Sequence, residues 1–191
     1  MFRFDDSRAI LQATPRTLRA MLEGLPERLT LASEGAGTWN ISQVLCHLAH
    51  NEADDWVPRI KLVLAKGTSE PFRPFDREAG FAHYAGWSVA RLLDEFGALR
   101  EESLRTLDGL RLTPDDMRLE GLHPVFGPVT IEQLLASWIC HDLTHIHQIS
   151  RILARYHAAY VGPFAKFMGV LAGRGSTTSS PPPPHAAKLD G

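Results

Sequence analysis

The stretch Trp138-Ile-Cys-His-Asp-Leu-Thr-His-Ile-His-Gln-Ile-Ser-Arg-Ile152 decides how the rest of the chain is read. His141 and His145 lie about one helical turn apart, so in a helix both imidazoles leave the same face. Leu134, Leu135, Trp138, Ile149, Ile152 and Leu153 recur at helical spacing around them, which makes that face largely a buried one. Two imidazoles on such a face suggest a metal. A histidine pair at this spacing is as often structural, so a third ligand has to be found.

Outward from this stretch, Thr130-Ile-Glu-Gln133 has the form of a capping box, with Val129 and Leu134 as an apolar staple. It opens a helix running to about Arg155. The same signature recurs at Asn40-Ile-Ser-Gln43, with Trp39 and Val44 as the staple. That second helix carries Cys46, His47, His50, Asn51, Glu52 and Trp56, and is expected to run past Pro58, with a kink, to about Lys66. His47, set between Leu45 and Leu48, is the natural third ligand, because bundles build sites from side chains on facing helices. Three neutral imidazoles suit one divalent transition metal, zinc or nickel ahead of iron, manganese or copper. They also leave a coordination position for water or substrate. Three unrelated core histidines are the plain alternative on spacing alone.

His50, Glu52 and Gln148 are candidates for supporting or substrate-binding groups around the metal, and His123 is a candidate for the lip of a pocket. Glu52 reads equally well as a solvated surface charge. Cys46 and Cys140 each precede a proposed ligand and are rotated about a hundred degrees from it. They read as small hydrophobes first and as redox-sensitive thiols second. Two other metal chemistries fail on the residues. His141-Asp-Leu-Thr-His145 has Asp where a zincin protease needs Glu, and a di-iron bundle needs a helical Glu-x-x-His, present only as Glu120-Gly-Leu-His123 in an irregular segment.

The remaining chain completes a bundle. Asp5 to Leu25 has helical periodicity, with Thr14-Pro15 predicting a kink or split. Ser88 caps a third helix ending near Gly109, with Leu92, Phe96, Leu99, Ser103 and Leu107 inside and Arg91, Asp94, Arg100, Glu101 and Arg105 facing water. Residues 114–129 predict an irregular or hairpin excursion. After Gly162-Pro163, the residues Phe164, Phe167, Val170 and Leu171 predict a short last helix lying on the bundle. Residues 173–191, with four consecutive prolines, read as a disordered tail, so one domain over 1–172 is expected. The fold class is all-α, a four-helix bundle. The 191 residues carry 20 basic and 22 acidic side chains without a long basic run, which argues against nucleic acid as a partner. No apolar run has the length of a membrane helix. Two cysteines and the lack of a signal-peptide start fit a cytoplasmic protein.

The segments Gly37-Thr-Trp-Asn-Ile-Ser-Gln-Val-Leu-Cys-His-Leu-Ala-His-Asn-Glu52 and Phe126 to Gln148 resemble the DinB-like superfamily of bacterial metalloproteins, the damage-inducible proteins and their relatives. The resemblance runs from about residue 5 to 172. It implies an up-down-down-up four-helix bundle, often homodimeric, with a divalent metal at the positions matching His47, His141 and His145. Characterised relatives include thiol S-transferases and isomerases that use bacillithiol, mycothiol or glutathione. Some isomerase relatives have Glu at the position of His141, so transfer of a low-molecular-weight thiol to a small electrophile is the closer expectation. A metal-dependent hydrolase and a non-catalytic metal-binding stress-response protein are the alternatives.

Overall fold

A computed structural model describes residues 3–172, and the expected tail at 173–191 lies outside the described residues. The helices are α1 (Phe4–Leu22), α2 (Glu27–Thr30), α3 (Ile41–Asp54), α4 (Trp56–Lys66), α5 (Ala79–His83), α6 (Val89–Leu110), α7 (Ile131–Tyr156) and α8 (Ala158–Val161). A hairpin of β1 (Glu120–His123) and β2 (Gly127–Thr130) precedes α7, with Glu120 opposite Thr130 and His123 opposite Gly127.

Four columns form the bundle: α1, α3 continued by α4, α6, and α7. Side-chain pairs fix their directions. Arg8 meets Asp108 and Arg19 meets Asp94, so α1 and α6 are antiparallel. The start of α3 and the start of α6 line one cavity while Glu52 meets Arg100, so α3 and α6 run the same way. Trp39 lies by His145 and Trp56 by Trp138, so α3 and α4 oppose α7. The order is therefore up-down-down-up, which the long crossover between α4 and α6 permits.

Thr14-Pro15 does not split α1, one of the two outcomes predicted there; the helix is continuous from Phe4 to Leu22 with Pro15 inside it. Proline lacks the N–H that would bond the carbonyl of Leu11. That carbonyl instead accepts from Nη1 of Arg100 at 2.7 Å, so the helix keeps going with its freed acceptor satisfied. In the second column the interruption falls at Asp55, where the proline ring of Pro58 would crowd the carbonyl of Asp54. Both predicted capping boxes form: Asn40 with Gln43, and Thr130 with Gln133.

The apolar core lies in two clusters. Leu18, Leu22, Ile41, Leu45, Leu92, Phe96 and Ile152 belong to one, and Leu11, Ile60, Leu107, Leu135 and Trp138 to the other. Arg100, expected to face water, is buried at 2% exposure. It stands on the inward stripe of α6 because two carboxylates from α3 and α7 meet it there. The C-terminal segment also departs from expectation. After α8 the chain makes 3₁₀ turns at Gly162–Phe167 and Gly169–Leu171, and Phe164 and Phe167 are exposed instead of lying on the bundle. In a 3₁₀ turn residues three apart eclipse, so both rings leave on one face, here the outer one. The chain returns to α7 at its end, where Arg151 donates to the carbonyl of Ala172 at 2.9 Å. Among the described residues no helix is long and apolar enough to cross a membrane.

Candidate metal centre

His47 projects from α3 and His141 and His145 from α7, and one ring nitrogen of each lies within 4.8 Å of the others. Nε2 of His141 is 2.9 Å from Nε2 of His47 and 3.2 Å from Nε2 of His145. The far nitrogens fix the tautomers of two rings. Nδ1 of His47 donates to the carbonyl of Arg77 at 3.0 Å, and Nδ1 of His145 donates to Oε1 of Gln148 at 2.8 Å. Both therefore turn a bare Nε2 lone pair inward. His141 has a buried Nδ1 without a partner among the described residues. Three ring nitrogens thus meet with at most one proton to share, an arrangement that a cation would satisfy.

Electrostatics agree. Burial, then the neighbouring His145, pushes His47 down to about 3. Burial likewise pushes His145 down to about 4 and His141 well below the ordinary imidazole range. Neutral imidazole is the form that ligates a metal. The donor set fits a divalent metal, and all three residues contribute one ligand atom each.

Aromatic rings wall the cluster. The Trp39 ring is 4.9 Å from that of His47 and nearly parallel to that of His145, while Trp56 stands edge-on to His141 at 5.5 Å. Deeper in the bundle, Arg100 donates to Glu52 at 2.9 and 2.8 Å and to Asp142 at 2.7 and 3.0 Å. Nε1 of Trp138 donates to Glu52 at 3.2 Å. Asp142 directly follows His141, so the guanidinium ties α1, α3, α6 and α7 together beside the cluster.

The cluster opens on a cavity of about 440 Å³ whose lining includes Asn51, Arg59, Phe75, Arg77 and His123. A larger cavity of about 650 Å³ lies between the end of α1 and the start of α6, away from the histidines. Of the other predicted residues, Gln148 bonds His145, and His123 is in the cavity lining with its Nδ1 accepting from the N–H groups of Val125 and Phe126. His50 faces a neighbouring cavity, 3.2 Å from Asp54 and stacked on Phe75. Glu52 is not a surface charge; it is held in the buried network with Arg100. Cys46 is buried, which pushes its thiol up, and Cys140 is exposed; neither lines the 440 Å³ cavity. Sequence reading missed Arg77, Arg100 and the buried role of Asp142. Arg77 lies in an irregular segment with no periodicity to place it. The short helix α5 that follows it packs closely on α3 at Gly80, where a Cβ would stand 2.6 Å from the carbonyl oxygen of Cys46.

Fold and site together define a four-helix-bundle protein with a three-histidine cluster able to hold a divalent metal. The model of the DinB superfamily matches residues 10–149, and the chain belongs to that superfamily. A solved structure, YfiT from Bacillus subtilis, is similar to it with a TM-score of 0.69 and 24% identity, over 81% of this chain and 87% of that one. YfiT is described as a probable metal-dependent hydrolase with an unusual four-helix bundle topology. No curated protein matches the chain.

Proposed function

We propose that this chain is a metal-dependent enzyme of small molecules, in which His47, His141 and His145 hold one divalent cation and a low-molecular-weight thiol is transferred to a small electrophile. The observation that carries the reading is the convergence of three neutral Nε2 atoms on one point at the wall of an open cavity. A divalent cation there supplies the Lewis acidity that turns a thiol or a water into a nucleophile near neutral pH. The protein's own groups prepare the place for it. The Arg77 carbonyl and Gln148 hold the ring protons of His47 and His145 on Nδ1. Trp39 and Trp56 shield the cluster from water on two sides. Three uncharged ligands would leave the charge of a bound cation uncompensated, which would favour an anionic thiolate.

Hydrolysis is the second reading. It is favoured by Asn51, a residue of the cavity lining whose buried Oδ1 has no partner among the described residues and is suited to an O–H group, and by the description of YfiT. A cytoplasmic homodimer is part of the same proposal.

The test starts with metal analysis of protein purified from its own host, alongside His47→Ala, His141→Ala and His145→Ala. The wild type should hold about one divalent ion per chain, and each variant should lose it and melt lower, because a metal bound only by the folded state stabilises it. Tight stoichiometric binding by all three variants would remove the assignment. Thiol consumption is then followed with bacillithiol, mycothiol, glutathione and coenzyme A against haloaromatic and epoxide electrophiles. Metal-dependent turnover supports transfer. Metal-dependent ester or amide cleavage without it selects the hydrolase, and neither activity selects a metal-binding stress-response protein.

A further inference from the structure

Two cationic side chains line the cavity beside the histidine cluster, Arg59 and Arg77. Arg59 is neutralised: it pairs with Asp55 one turn earlier, both side chains largely buried, and its guanidinium lies over Phe72. Arg77 has no ion-pair partner among the described residues. The acids flanking it are engaged elsewhere, since Asp76 accepts from the N–H of Glu78 at 2.9 Å and Glu78 accepts from Nε1 of Trp39 at 3.4 Å. What holds the Arg77 guanidinium is the Trp39 ring, 5.2 Å from its Cζ, the same ring that stands against His47 and His145. An aromatic face stabilises a guanidinium without consuming its N–H donors, which remain available to a planar acceptor. The backbone fixes Arg77 as well, because its carbonyl is the acceptor for His47.

The charges of the lining do not cancel. Asp55 is balanced by Arg59, so the guanidinium of Arg77 is the charge of the lining left without an opposite charge, in a partly enclosed cavity. A second observation comes from Asn51, which is 4% exposed. Its Nδ2 donates to Asp55 at 3.2 Å, and since an ionised carboxylate only accepts, this sets the orientation of the amide. Oδ1 is left buried and without a partner among the described residues, on a residue that lines the cavity. A buried acceptor of this kind is costly unless a donor meets it.

We infer that the cavity is a subsite for a small organic carboxylate that carries an N–H or O–H donor, with the acid group on the Arg77 guanidinium and the donor on Oδ1 of Asn51. One guanidinium matches the single charge and planar fork of a carboxylate. Trp56 and Phe75 in the same lining suit a flat apolar portion of the molecule. The inference names the substrate class of the proposed enzyme and rests on that reading only for what is done to the ligand; the binding itself needs no cation.

The experiment is calorimetric titration of the full chain, zinc-loaded and chelator-stripped, with hippurate, with its neutral counterpart N-benzoylglycinamide, and with N-methylhippurate. Wild type should bind hippurate about ten-fold or more tighter than the neutral amide in both forms, as a charge-assisted hydrogen bond gives. Arg77→Met should erase the preference, and Arg77→Lys should keep part of it. N-methylation, which removes the donor, should cost wild type about ten-fold. Equal binding of acid and amide by wild type, absence of hippurate binding at millimolar concentration, or a preference that survives Arg77→Met overturns the inference. A preference seen only in the zinc-loaded form places the carboxylate on the metal and overturns it too, and an N-methyl analogue that binds as well as hippurate overturns the role of Asn51. If Arg77→Met does not fold, the wild-type comparison and Arg77→Lys decide. If the histidine cluster binds no metal, the stripped-protein titrations still decide, so the two readings fail separately.

Discussion

At the scale of single residues, Arg100 is where charge and burial conflict most. A buried guanidinium is tolerated because every direction of its fork is met: Glu52, Asp142 and the Leu11 carbonyl all accept from it. Removing it strands two carboxylates in the interior, which costs far more than the ion pair itself contributes. We expect Arg100→Met to lower stability by about 3–5 kcal/mol in chemical denaturation. A loss below about 1 kcal/mol, the scale of an exposed pair, would mean that water reaches the carboxylates. The position was half legible. Phe96, Arg100, Ser103 and Leu107 are spaced like one helical stripe, but the reading from sequence drew that stripe through Leu99 and assigned Arg100 to the water face.

At the scale of elements, the two histidine-bearing helices begin alike because both start from a reciprocal cap. Asn40 accepts from the N–H of Gln43 at 2.9 Å while Gln43 accepts from the N–H of Asn40, and Thr130 and Gln133 repeat the exchange. Each cap sits at or before the first turn, away from the metal cluster. Asn40→Ala and Thr130→Ala should each cost about 1 kcal/mol, measured by urea unfolding, with metal content unchanged. Loss of metal in either variant would show that the cap also sets the position of its histidine. These caps, the hairpin before α7 and the bounds of α6 were readable because they depend on local bonds. The continuity of α1 was not, since it depends on a side chain of α6 that satisfies the carbonyl freed by Pro15.

At the scale of the whole molecule, the described residues comprise the bundle and the return of the chain to α7, where Arg151 meets Ala172. Residues 174–191 have no apolar stripe with which to add to it. Truncation after Gly173 should therefore leave both metal content and melting temperature unchanged within error. A fall of several degrees in differential scanning calorimetry would show that the tail docks on the bundle.

What the sequence determined by itself was whatever nearest-neighbour chemistry and periodicity control: an all-α bundle, its capped helix starts, and a histidine pair one turn apart on the buried face of α7. The meeting of that pair with His47 was inferable from matching helix starts, and the fold brings the three rings together. The tertiary structure alone decided what depends on side chains distant in sequence. It buried Glu52 and Asp142 by giving them Arg100, and it laid an irregular segment against α3 so that Arg77 could hold His47 through its carbonyl and stack on Trp39 through its guanidinium. Neither placement leaves a local signal, because the partner that stabilises each charge or donor lies tens of residues away along the chain.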